Sequence, residues 1–243
     1  MTGLVLPAEC AGCGRGGSVL CTRCREALAG PGGGPVRPRA APAGLPGVWA
    51  AAAYEGVVRA VVLAHKERGA LPLAGALGGA LAAAVRGGGR AGPTAGPPCG
   101  PGPVLVPVPS AGRQVRARGH DPVRRIAAAA AAELRSGGAR ARVVPVLALG
   151  RAVADQAGLR ARERRENLAG ALRVRGRVPG AVAGLPVVLV DDVVTTGATL
   201  AEAARALREA GVAVASAAVV AAPAGAFRKR GEEAGHRTEQ ENP

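Results

Sequence analysis

The 243-residue sequence predicts an α/β fold, a parallel sheet flanked by helices, with a small N-terminal four-cysteine zinc module ahead of it. Three observations carry that prediction. First, Val187–Val190 is a short continuous apolar run, and Val104–Pro109 and Val212–Val220 are further apolar stretches, as expected for strands buried on both faces. Second, Leu200, Ala203, Ala204, Leu207 and Ala210 recur at helical spacing between two of those runs, so strand, helix and strand make a right-handed βαβ unit. Third, Cys10, Cys13, Cys21 and Cys24 form two C-x-x-C pairs joined by a short loop. That spacing lets four thiolates converge tetrahedrally on zinc, with a redox pair or a degenerate remnant as the competing readings. The expected division is a zinc module over 1–29, a linker over 30–47, the α/β domain over 48–224 and a disordered tail over 225–243.

The elements follow in order. Gly30–Gly47 is rich in Gly and Pro and reads as a linker. Trp49–Tyr54 reads as a strand with Glu55-Gly56 as its turn, Val57–Ala64 as a helix, and His65 as a surface or helix-end residue. Leu71–Val85 is an Ala/Leu helix. Arg86–Pro103, with Gly and Pro throughout, is expected to be a mobile loop holding Cys99 as an exposed free thiol. After the Val104–Pro109 strand, Ser110–Gly119 is a loop carrying Arg113, Arg116 and Arg118. Asp121 then caps a helix with Pro122 at its first position. Val143–Leu149 reads as a strand. The dense charge of Arg151–Asn167 leaves two readings open, a mobile flap or a solvated helix.

Composition narrows function less than charge alone suggests. The net charge is +15, yet 30 of the 32 basic residues are Arg and only Lys66 and Lys229 are Lys. Arg, Ala, Gly and Pro are abundant together, which points to a bias of the coding sequence. The high pI is therefore a weak indication of nucleic-acid binding, and phosphate-rich substrates suit it equally. No targeting segment is visible at the N-terminus. The longest apolar candidate, Val212–Ala222, falls short of the roughly 18 residues that span a bilayer. A soluble, cytoplasmic protein without membrane insertion is expected.

Val187–Thr199 (VVLVDDVVTTGAT) holds the most informative chemistry. Asp191 and Asp192 fall where the buried strand ends, and Thr195, Thr196, Gly197, Ala198 and Thr199 lead into the next helix. A Gly/Thr turn at a helix start offers backbone N–H groups, hydroxyls and the positive end of the helix dipole to an anion. Carboxylates repel phosphate, so the acid pair should face ribose hydroxyls or magnesium. A sugar phosphate satisfies both halves. Ligands of open α/β sheets bind outside the carboxyl ends of strands, so Arg113, Arg116 and Arg118 either reach the same ligand or form a solvated basic loop.

This stretch resembles the phosphoribosyl pyrophosphate (PRPP) signature of type I phosphoribosyltransferases. The resemblance implies that Asp191 and Asp192 hold the ribose hydroxyls in the catalytic step. Thr195, Thr196, Gly197, Ala198 and Thr199 would cradle the 5′-phosphate, and Arg113 would counter the pyrophosphate, with magnesium bound alongside PRPP. Taken with the CAGC/CTRC pairs, the chain is similar to the ComF family of competence-associated proteins. Tyr54-Glu55-Gly56, Lys66 with Gly69, Pro107-Val108-Pro109, Arg118-Gly119-His120-Asp121, and Gln156 with Arg162 and Asn167 complete that likeness. It implies structural zinc on Cys10, Cys13, Cys21 and Cys24. It also implies two functions: transfer of a phosphoribosyl group to an unknown acceptor, or a non-enzymatic accessory or PRPP-sensing role in DNA uptake. The second role would involve single-stranded DNA or a helicase partner. Further cysteine pairs common in that family around residues 30–50 are absent here.

Overall fold

A computed structural model of the chain describes residues 9–30, 33–91, 102–150, 169–176, 182 and 184–228. Cys99, the charged segment Arg151–Leu168 and the tail beyond Arg228 lie outside the described residues. The framework is a six-stranded sheet built from β1 (Gly34–Val36), β2 (Val48–Ala53), β3 (Val104–Pro107), β4 (Arg142–Val143), β7 (Val187–Val193) and β8 (Val214–Ala222). Its order is β1-β2-β8-β7-β3-β4. Only the β1–β2 pair is antiparallel. A separate antiparallel pair joins β5 (Leu147–Leu149) to β6 (Leu172–Val174). The α/β class read from the apolar runs is the class observed.

Alternation of side chains across the central strands makes two cores. Val188, Val190, Ala218, Val220 and Leu105 point to one face, under α2 (Gly56–Glu67), α3 (Ala74–Ala91) and α5 (Pro122–Ser136). Val187, Leu189, Ala217, Val219 and Val106 point to the other, under α6 (Ala198–Glu209). α1 (Thr22–Ala29) and the cysteine loop before it join the first core through Cys10, Leu20, Cys24 and Leu28.

Asp121 caps α5 as expected, its carboxylate accepting from Arg124 N–H at 3.1 Å. α6 ends in a Schellman turn: Gly211 N–H donates to Arg208 O, Val212 N–H donates to Leu207 O, and Gly211 takes a left-handed φ of 77°.

Several expectations are corrected. The stretch Ser110–Gly119 is not a loop, because Gly112–Arg118 forms the helix α4. None of its residues is buried, so it has no apolar stripe to read from sequence. The single strand expected over Val143–Leu149 is two, β4 and β5, in different sheets. Pro145, which has no N–H for a ladder, lies between them. α3 continues past Val85 to Ala91, through glycines that argued against helix. At Gly87 and Gly88 an added Cβ would lie 3.2 and 3.3 Å from the Trp49 indole, so the bare helix surface seats that ring. Within the linker, Gly34–Val36 is an edge strand, and Phe227 bridges to Val36. His65 is at a helix end but buried, not on the surface. Leu71–Gly89 also has the length and hydropathy of a membrane span, 19 residues at 1.2, unlike the expectation that no stretch approached it. Its Leu73, Leu77, Leu81 and Val85 are instead buried in the first core.

One clamp was not anticipated. Glu202 on α6 accepts Leu172 N–H at 3.0 Å, and Arg205 donates to Leu172 O at 3.0 Å while gripping the same Glu202 at 2.8 Å. The pair satisfies both backbone groups of β6 at this residue. Burial alone would lift the Glu202 carboxyl, but Arg205 and the Leu172 amide hold it below its ordinary range. Its contribution is therefore complete above its ordinary value near 4.5 and is lost as pH falls through the lower folded value. Glu202→Gln is expected to cost about 1–3 kcal/mol in denaturant unfolding. It should also remove that acid-side dependence and speed amide exchange at Leu172.

Candidate functional site

The carboxyl ends of β3 and β7 open onto a cavity of about 430 Å³. β3 supplies the turn Val108-Pro109-Ser110 and then α4, placing Arg113 and Arg118 on the wall. β7 supplies Asp191, Asp192, Val193, Thr195 and Thr199, and α2 contributes Lys66 and Glu67. The structure thus brings the expected acid pair, two threonines and Arg113 to one cavity. Thr196, Gly197 and Ala198 form the turn between Thr195 and Thr199.

The two acids are adjacent in a strand and so project to opposite faces. Asp192 shares the face of Val188 and Val190, toward α2, and there its Oδ2 meets Lys66 Nζ at 2.7 Å. Each carboxylate is also braced by backbone. Asp191 Oδ1 accepts Asp192 N–H, and Asp192 Oδ1 accepts Val193 N–H, both at 2.8 Å. Removal from water, and then the neighbouring Asp192 carboxylate, push the Asp191 carboxyl well above the usual carboxylate range. Burial works against the Lys66 ammonium, but attraction to Asp192 and Asp191 outweighs it and raises its pKa.

The threonine turn ends in Gly197, the residue before α6, with φ of 79°. This is a left-handed position, and an added Cβ would stand 2.8 Å from Leu45 Cδ2. Thr196 Oγ1 accepts Ala198 N–H at 3.3 Å, and Gly197 has no side chain to cap the helix further. Gly197→Ala is expected to cost about 1–2 kcal/mol from the backbone conformation, visible as a lower melting temperature.

Opposite this turn, Arg118 grips Glu67 through two nitrogens, at 2.8 and 3.2 Å, which fastens α4 to α2. Its third nitrogen, Nη1, is buried without a hydrogen-bond partner. Behind that pair, His65 Nδ1–H donates to Ala70 O and His120 Nδ1–H to Arg118 O, at 3.3 and 3.0 Å, with ring centres 5.6 Å apart. Burial lowers the His65 pKa, keeping it a neutral structural group.

Residues 123–241 match the family model for the phosphoribosyl transferase domain. Over that segment the chain is similar to a phosphoribosyl transferase domain. No curated protein matches it. The matched segment includes β7, the acid pair, the threonine turn and α6.

The second site is the cysteine cluster. The sulfurs of Cys10, Cys13, Cys21 and Cys24 all lie within 4.8 Å of one another, close enough to hold a metal such as zinc. Cys13 and Cys21 Sγ are 3.8 Å apart. That equals the edge of a tetrahedron with Zn–S bonds of about 2.3 Å. Cys10 Sγ accepts Cys21 N–H at 3.3 Å, and this bond leads the lowering of its thiol to about 6. Burial raises the Cys24 thiol, so a cation is what would hold it as a thiolate.

Lys66, Glu202 and Arg205 are the participants that sequence reasoning did not place. Lys66 had a signal: it is one of only two lysines in a chain that otherwise uses arginine.

Proposed function

We propose that the cavity binds PRPP with magnesium and that the chain, a ComF-type protein of the cytoplasm, transfers the phosphoribosyl group to an acceptor. The observation that carries this reading is the convergence of an acid pair, a threonine turn at a helix start and two arginines on one cavity. In this reading Asp191 and Asp192 hold the ribose hydroxyls, and Thr195–Thr199 hold the 5′-phosphate with the α6 N-terminus behind them. Arg113 and Arg118 face the pyrophosphate. Asp191 and Asp192 offer hard carboxylate oxygens that would help hold magnesium beside a polyphosphate, and the metal would supply charge neutralisation for the pyrophosphate. The protein's own contribution to transfer is positioning: fixing the ribose while cationic side chains stabilise the departing anion. The acceptor is unassigned, and no residue in the cavity stands out as its general acid. Calorimetric titration with PRPP and magnesium tests the reading. Saturable binding supports it, and no heat at millimolar PRPP overturns it.

A second reading keeps PRPP as a sensed ligand and gives the cysteine module a single-stranded DNA or helicase partner. Exposed Arg15, Arg23 and Arg25 on that module favour it. Salt-dependent DNA binding that survives loss of Asp191 and Asp192, without PRPP turnover, would select it over the first.

A further inference from the structure

We propose that Lys66 is a specificity-determining positioning residue: it pairs with Asp192 and leaves it only for a ligand that brings a pyrophosphate. The inference rests on the reading of the cavity as a PRPP site. Its basis is the use of the four carboxylate oxygens. Asp191 Oδ1 and Asp192 Oδ1 are committed to backbone N–H groups, and Asp192 Oδ2 is paired with Lys66. Asp191 Oδ2 takes part in none of these three contacts. A ribose diol seeking both carboxylates therefore meets, at Asp192, an oxygen already held by an ammonium.

The two members of the pair differ in freedom. The Asp192 side chain is 4% exposed and braced by its own strand, whereas Lys66 is 34% exposed at the end of α2 on a flexible stem. Lys66 is thus the member able to move. Arg118 adds repulsion on the same ammonium. A sugar bearing only a 5′-phosphate offers Lys66 nothing in exchange for Asp192. A sugar bearing a 1-pyrophosphate offers a polyanion in a cavity that Lys66 already lines. Lys66 then contributes to binding of the activated sugar and opposes binding of the spent one. The site's preference for PRPP over ribose 5-phosphate would come partly from this single residue.

The experiment is a paired titration, PRPP and ribose 5-phosphate each with magnesium, on the wild type, Lys66→Met and Lys66→Arg. Loss of one charge-assisted contact should weaken PRPP about ten- to hundredfold in Lys66→Met. Ribose 5-phosphate affinity should hold steady or rise, and Lys66→Arg should recover most of the PRPP affinity. Equal weakening of both ligands would reduce Lys66 to a prop for Asp192 and overturn the proposal, as would no change in either. Should Lys66→Met fail to fold, the wild-type and Lys66→Arg titrations still decide. An arginine that leaves the PRPP preference unaltered supports the cationic role, and one that abolishes PRPP binding while remaining folded overturns it. Failure of the wild type to bind either ligand removes the underlying reading, an outcome distinct from all of these.

Discussion

Asp191→Asn combined with Asp192→Asn is expected to abolish PRPP binding while leaving the fold intact. Asparagine keeps an Oδ1 acceptor for the Asp192 and Val193 amides, so the local backbone has no reason to move. Lys66 loses its partner, but its ammonium is a third exposed and remains solvated. The ligand loses two charge-assisted contacts to ribose, together about 3–6 kcal/mol, a factor of roughly 10² to 10⁴ in Kd. The single change Asp191→Asn carries a further test. Its carboxyl is raised, so the folded state binds the proton more tightly than the unfolded one. That contribution is fully present below the ordinary carboxylate value and is lost as pH rises through the folded value. The ionised group therefore opposes folding near neutrality. Asp191→Asn should accordingly melt at or above the wild-type temperature at pH 7 to 8 while binding PRPP poorly. An unchanged affinity with magnesium present would sink the ribose role of the pair.

The second large effect concerns the cysteine cluster. One zinc per chain is expected by elemental analysis, and its removal should destabilise the whole domain rather than the first thirty residues alone. Cys10 and Cys24 are 2% and 1% exposed and belong to the same core as Ala51, Val61 and Val190. At Gly12 an added Cβ would stand 2.9 Å from both Cys24 Sγ and Val57 Cγ1, so the loop is seated on the start of α2. Structural zinc contributes about 10–16 kcal/mol of apparent binding energy in zinc-finger peptides. A domain whose net stability is about 5–15 kcal/mol has little margin against losing it. Strong chelators should lower the melting temperature sharply, and acid should release the metal because the thiolates take up protons. A metal-free chain that melts as the wild type does would remove the structural role.

What was legible in the sequence was local. The apolar run of Val187–Val190, the acids after it and the threonine turn are consecutive, so their order could be read directly. Asp121 and Pro122 likewise announce their helix within two residues. Lys66 could not be placed that way, since its partner Asp192 is distant in sequence and the two meet only when α2 crosses the end of β7. α4 was hidden for a different reason: it buries no residue, and Arg118 fastens it to Glu67 on another helix. Gly87 and Gly88 misled because their helix penalty is real, but the Trp49 ring they admit is a tertiary fact. The clamp of Glu202 and Arg205 on Leu172 joins groups whose proximity no periodicity encodes.

The position of β2 also sets the tempo of folding. It lies between β1 and β8, paired along its length with Val214–Ala222, the last strand of the sheet. The cysteine module rests on a core that β2 and β8 line together, so a segment early in the sequence has its seat completed by one far later in it. Such non-local pairing slows folding, because loop closure precedes the contacts that reward it. A ribosome-bound chain halted before Val214 holds a metal-binding loop and a hydrophobic strand with no neighbour on one side.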